Sequence, residues 1–125
     1  MKPYYEHAGI TIYHGDAREV VPTLAADVLV TDPPYGLGER WQGGTWGAQP
    51  MYADARRWDA EVVVELPALV ERFTRAIVWG GNYYSLPPSR CWLSWVKVPP
   101  MDTMADFELA WTSLERNAKS WSGHR

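Results

Sequence analysis

Residues 26–36 read "ADVLVTDPPYG", an apolar run that stops abruptly at an acid and two prolines. Proline donates no ladder hydrogen bond, and it pushes the residue before it out of the helical region, so a strand over 27–32 must end at this point. Asp32 and Tyr35 are thereby held on a stiff turn at the carboxyl edge of the strand, where open α/β sheets bind ligands. One reading is a strand terminator, in which Asp and Pro serve the turn and Tyr35 packs. The other is a site. Its context is a strand of the doubly buried type before the turn, a glycine after it, and a strand, short helix, strand pattern leading into it, which predicts a right-handed βαβ unit.

The remaining pattern extends this α/β reading. "GITIYHGD" (9–16) alternates around Ile10, Ile12 and His14 and predicts a strand closed by a turn. "AREVVPTLA" follows with helical character, limited by Pro22. Residues 36–58 are rich in glycine and lack periodicity, which predicts a long loop of the kind more often functional than idle. Asp59 is placed to N-cap a helix with Val62, Val63, Leu66, Leu69, Val70 and Phe73 on one face, and Pro67 either kinks it or marks its true first turn. "AIVWGGN" (76–82) reads as another buried strand, and "CWLSWVK" (91–97) with "FELAWTS" (107–113) as an antiparallel pair at a sheet edge. After Ser113 the chain is polar, with no further strand expected.

Length and charge narrow the function classes. A chain of 125 residues makes one domain at most, and a net charge of −3 supplies no broad attraction for a polyanion. Eight tryptophans are many for this length, and Trp41, Trp46 and Trp121 lie in stretches without apolar periodicity, as residues awaiting a partner surface would. The single Cys91 excludes an internal disulfide and reads as a buried strand thiol. His14 and His124 have no ligand spacing, so no metal site is expected. With no signal-like start and no long apolar span, the expected location is the cytoplasm, away from membranes.

An Asp carboxylate beside backbone carbonyls bared by Pro-Pro is a cluster of acceptors without a local donor. It suits a group with two N–H bonds, such as an exocyclic amine, while an adjacent aromatic ring stacks on the planar base that carries it. Accepting both protons draws the nitrogen lone pair out of conjugation and makes a poor nucleophile usable.

On these residues, "IYHGDAREVVPTLAADVLVTDPPYG", "AIVWGGNYY" and "WLSWVKVPPMDTMADFELAWTS", nearly the whole chain resembles the first half of the DNA amino-methyltransferases, which methylate adenine N6 or cytosine N4 with S-adenosylmethionine. It is most similar to the permuted group, phage and prophage enzymes among them, in which the DPPY motif comes first. The resemblance implies that Asp32 accepts from the target amine, that the Pro33 carbonyl accepts its second proton, and that Pro34 and Tyr35 complete the motif, with Tyr35 stacking on a base extruded from double-stranded DNA. Aspartate in this position implies adenine in preference to cytosine, whose enzymes more often carry serine there. Asp16 matches the acid that contacts the adenine of the cofactor, although a helix-capping turn residue is an equally good reading. Trp79, Gly80, Gly81 and Asn82 match the next strand end, as a lining of the base pocket or as a simple turn. Arg40, Arg56 and Arg57 are candidates for phosphate contacts beside the commoner reading of solvated loop charges. Lys97 and Glu108 are expected to form a cross-strand ion pair.

The resemblance also implies what is missing. No F-x-G-x-G or D-P-F-x-G-S-G segment to cradle the methionine portion of the cofactor occurs in the 125 residues. The expected fold is therefore an incomplete Rossmann-like methyltransferase domain: a mostly parallel sheet with an antiparallel edge hairpin, lacking the strands that carry the glycine-rich motif and truncated at its C-terminus. In the family's sheet "DVLVTD", "AIVWGGN", "FELAWTS" and "CWLSWVK" are successive neighbours, and the two absent strands separate "GITIYHGD" from "DVLVTD". Both would then have unpartnered edges, and the chain alone is expected to be marginally stable or aggregation-prone unless a second chain or a C-terminal half completes the sheet. A non-catalytic remnant or DNA-interaction module is the alternative to an enzyme.

Overall fold

The structure, a computed structural model, describes residues 1–38, 50, 53–102 and 104–124. Its centre is a five-stranded mixed sheet of β3 (Val28–Thr31), β4 (Arg75–Trp79), β5 (Leu93–Val98), β6 (Phe107–Thr112) and β7 (Lys119–His124), in the order β3-β4-β6-β5-β7. β3 and β4 run parallel, with Leu29 opposite Ala76 and Thr31 opposite Val78. β6 is antiparallel to both β4 and β5, and β7 lies parallel to β5. A separate antiparallel pair, β1 (Tyr5–His7) and β2 (Ile10–Ile12), precedes the short helix α1 (Ala17–Val20).

Four expectations of topology are corrected. "GITIYHGD" contributes only Ile10–Ile12, which pairs with Tyr5–His7 and takes no part in a βαβ unit with β3. The connection is a two-residue turn with Ala8 at φ 50° and Gly9 at φ 79°, left-handed geometry that matches the twist of a tight hairpin. The edge of β2 thus has a local partner. The main sheet is mixed, not mostly parallel, and the β5–β6 hairpin is not its edge. β7, in the stretch expected to hold no strand, lies outside β5 in continuous register from Leu93 opposite Lys119 to Val98 opposite His124.

The main hydrophobic cluster lies on one face of the sheet. Ala76, Val78 and Trp111 are buried against Leu66 and Val70 of the short helix α3 (Leu66–Val70), with Leu29, Val63, Tyr84, Leu86 and Trp92 packed around them. Polar groups on both faces are paired: the Trp111 indole N–H donates to the Pro87 carbonyl at 2.7 Å, and on the opposite face the buried Thr112 hydroxyl donates to the Cys91 carbonyl at 2.6 Å. Cys91 is buried, as expected, but precedes β5 and is not within a strand.

The helix expected to start at Asp59 starts at Leu66, with Pro67 in its first turn, where proline's missing N–H costs nothing. Val62 and Val63 lie outside the helix, because Asp59 is recruited elsewhere, as described below, and Phe73 lies beyond its end at Val70. The region 36–58 is also not all loop, since Ala53–Trp58 forms helix α2. Trp41 and Trp46 lie outside the described residues. Trp121 stands on β7, with its ring edge-on to that of Trp79 at 5.9 Å between centroids. Among the described residues no helix is long and apolar enough to cross a membrane.

Candidate active site

The site is built at the carboxyl ends of β3 and β4. β3 ends at Thr31, and Asp32 follows with its side chain exposed while Pro33 is buried beneath it. Tyr35 turns back: its hydroxyl donates to Asp32 Oδ1 at 2.6 Å, and its ring stacks on Tyr83, with centroids 4.8 Å apart and planes 17° from parallel. Burial, and next the hydrogen bond to Asp32, push the Tyr35 phenol well above the usual tyrosine range, so it stays a neutral donor.

The glycine pair after β4 explains how two aromatic rings fit there. Gly80 has φ 63°, and a β-carbon on it would lie 2.0 Å from Cε1 of Tyr35. Gly81 abuts the core, where an added β-carbon would come within 2.4 Å of Cβ of Trp111. Gly80 therefore seats the tyrosine of the DPPY turn, and Gly81 seats the sheet. Asn82 is exposed on the 3₁₀ turn Gly81–Tyr83, and the Trp79 ring packs edge-on against Trp121.

The turn is held from beneath by residues that sequence reasoning did not assign to the site. The carboxylate of Asp59 accepts the backbone N–H of Tyr35, and of Gly36 at 3.0 Å. Tyr84 donates its hydroxyl to the Pro34 carbonyl and accepts the N–H of Val63 at 3.3 Å. Burial is the main reason why the Tyr84 phenol is also raised. "AIVWGGNYY" held the signal for Tyr83 and Tyr84, but nothing local distinguishes them from core tyrosines.

On the other side of the turn a cleft of about 770 Å³ opens. Gly15, Asp16 and Arg18 form part of its wall, Thr31, Asp32, Pro33 and Pro34 another, and Arg57 with Val63 and Leu66 the opposite one. A cleft of this volume is in the range that takes a cofactor-sized molecule. The two carboxylates picked from the sequence, 16 residues apart, thus face one space. Asp16 also plays the capping role: it N-caps α1, accepting the Arg18 N–H at 2.9 Å, and its two oxygens take the Arg18 guanidinium at 2.5 to 3.1 Å.

The hydrogen bonds from the Arg18 side chain, and then from its backbone N–H, lower the Asp16 carboxyl from 3.8 to about 2. An acid depressed in the folded state favours folding above its ordinary value, and that contribution is lost as pH falls from about 3.8 to about 2. Replacing Arg18 with alanine is expected to bring the Asp16 titration, followed by carboxyl carbon NMR, back toward 3.8. An unmoved midpoint would show that the guanidinium is not the cause.

The cationic candidates separate. Arg57, on α2, pairs with the exposed Asp54 one turn earlier and lines the cleft, and Arg56 is on the same helix, whereas Arg40 lies outside the described residues. Lys97 and Glu108 form the expected cross-strand ion pair, and Lys97 Nζ also stands 5.6 Å from the centre of the Trp95 ring. Among the described residues no group of three or more His, Cys, Asp or Glu could hold a metal ion.

In class, this is an α/β chain with a five-stranded mixed sheet and an acid-bearing Pro-Pro turn at the mouth of a cleft. Over 45 residues it is 42% identical to the type II methyltransferase M.ScaI of Streptomyces caespitosus, a match that spans 34% of this chain and 15% of that protein. The similarity supports a relationship to methyltransferases. No protein-family model matches the chain, and no solved structure matches it.

Proposed function

We propose that the chain carries the amine-acceptor site of a DNA methyltransferase that transfers a methyl group from S-adenosylmethionine to N6 of adenine in double-stranded DNA. The observation that carries this reading is the shared cleft: Asp32, on the DPPY turn, and Asp16, the candidate cofactor acid, line one cavity. Support also comes from the sheet, in which β3, β4, β6 and β5 are neighbours in the order that the family resemblance implies. On this reading the sheet is part of an incomplete Rossmann-like domain.

The chain's residues divide the work. Asp32, exposed at the cleft mouth, accepts one N–H of the amine; its carboxylate has two oxygens, so Oδ2 serves while the Tyr35 phenol keeps Oδ1. The Pro33 carbonyl accepts the second N–H. With both protons engaged the lone pair leaves conjugation and points at its electrophile, a matter of orientation and no covalent enzyme intermediate. Tyr35, backed by Tyr83, offers the face on which an extruded base stacks. The cleft fits the cofactor in volume and in donor set: Asp16, kept ionised, takes hydroxyl or amine protons, and Val63 and Leu66 offer apolar surface. When bound, S-adenosylmethionine supplies an electrophilic methyl on sulfur. Arg57 exchanges its exposed partner Asp54, a pair of little net value, for a DNA phosphate, and Arg56 flanks it.

The remaining cofactor contacts are assigned to a second chain or a C-terminal continuation that adds strands beside β3. That edge has no neighbour among the described residues, and Val28 and Val30 on β3 are 48% and 64% exposed.

The test is incubation with methyl-labelled S-adenosylmethionine and an adenine-containing duplex, with a matched duplex in which purine replaces adenine. Label in N6-methyladenine from the first duplex alone is expected. Label in cytosine would shift the assignment to N4, and no label in either duplex would overturn the methyltransferase reading for this chain.

A further inference from the structure

We infer that Asp59 is a positioning residue for the amine-acceptor turn, a role that rests on the methyltransferase reading above. The two prolines lock their own φ angles near −65° and leave the orientation of the peptides after them free. Those peptides determine where Tyr35 points. Asp59 takes both of their N–H groups, of Tyr35 and Gly36, on one carboxylate oxygen. Its own carbonyl accepts the N–H of Gly38 at 2.8 Å, and Tyr35 makes a β-bridge with Val62 three residues on. Segment 35–38 is thereby clamped to segment 59–62.

Asp59 is only 8% exposed, and a buried carboxylate is costly unless it receives strong donors. Here the donors are successive backbone N–H groups in a concave turn, an arrangement that binds anions. Such charge-assisted bonds are about twice as strong as neutral ones. Fixing the two peptide planes places the Tyr35 ring against Tyr83 and its phenol on Asp32. Tyr84, bonded to the Pro34 carbonyl, holds the opposite end of the first of these peptides. Asp59 does not line the cleft. It acts through the turn and does not touch the amine.

Two variants test this. Asp59→Asn keeps one acceptor oxygen but loses the charge, and Asp59→Leu keeps the branched shape, with bulkier methyl groups, and loses the acceptor. Turnover is expected to fall about tenfold in the first and about a hundredfold in the second, the scale of a 1 Å misplacement, with KM for S-adenosylmethionine unchanged. A purely structural role predicts instead that activity follows only the folded fraction, with Asn and Leu alike once this is corrected. Should Asp59→Leu not fold, Asp59→Asn decides: a turnover equal to that of the unaltered chain overturns the proposal. The second readout needs no activity. Proton NMR of the unaltered chain should show Tyr35 ring signals shifted upfield by Tyr83 and downfield amide signals for Tyr35 and Gly36, and both shifts should shrink in Asp59→Asn. If the unaltered chain transfers no methyl group but these shifts shrink, the function assigned above fails while the clamp stands; shifts that persist unchanged overturn the clamp.

Discussion

Under the proposed function, Asp32→Asn is expected to reduce methyl transfer to adenine by about a thousandfold while leaving the fold intact. The side chain is exposed, and among the described residues it accepts a hydrogen bond from the Tyr35 phenol at 2.6 Å, which an asparagine oxygen can still accept. The effect on stability should therefore stay within about 1 kcal/mol, as for exposed polar changes in general. The effect on chemistry should be large because the amide lacks the negative charge that draws the amine's protons, and its NH₂ presents a donor to a donor. Single-turnover methylation of a duplex, read beside a thermal melt, separates the two. Near-normal transfer with an unchanged melt would mean that the carboxylate is no part of the chemistry and that the turn is a strand terminator after all.

Gly80→Ala should be a strongly damaging small substitution at the site. The residue sits at φ 63°, where a β-carbon is strained, and that carbon would lie 2.0 Å from Cε1 and 2.5 Å from Cδ1 of Tyr35. The strain and the overpacking together cost about 2 to 4 kcal/mol unless the ring moves. If it moves, the stack on Tyr83 and the bond to Asp32 are given up, since both depend on the present ring position. Either a melting temperature lowered by several degrees or a displaced ring with poor turnover is thus expected, and Tyr35→Ala in the Gly80→Ala background should recover most of the lost stability. A double variant no more stable than Gly80→Ala alone would show that the clash with Tyr35 is not the cause.

Much of the site was legible because it rests on local chemistry. Pro33 and Pro34 end a strand in any context, so the position of Asp32 at a strand terminus followed from the sequence. The continuous apolar runs announced β3 and β4 as strands, and the Gly80-Gly81 pair announced close approach, but β3 is not buried on both faces as its run suggested: Val28 and Val30 are exposed, and Leu29 and Thr31 half-buried. Lys97 and Glu108 were paired correctly because a hairpin brings them together with little choice. The errors lie where partners are distant or signals are weak. β7 reads "KSWSGH", polar and mostly exposed, and it is a strand because β5 offers it a ladder across the chain. Tyr5–His7 needed a two-residue turn whose residues, Ala8 and Gly9, are not the usual pair for it. Asp59 had the look of a helix cap because acids commonly cap helices, yet the N–H groups it satisfies belong to residues 35 and 36.

By itself, then, the sequence determined a stiff acidic turn at the end of an apolar strand, since proline geometry and apolar runs act through the nearest few residues. Only the tertiary structure decided what holds that turn and what it faces. Asp59, Tyr83 and Tyr84 reach it across 24 to 50 residues of chain, and Asp16 meets Asp32 across a cleft. Contacts of this kind are selected by the packing of the whole sheet, where a buried carboxylate or phenol must find its partners wherever the fold has placed them.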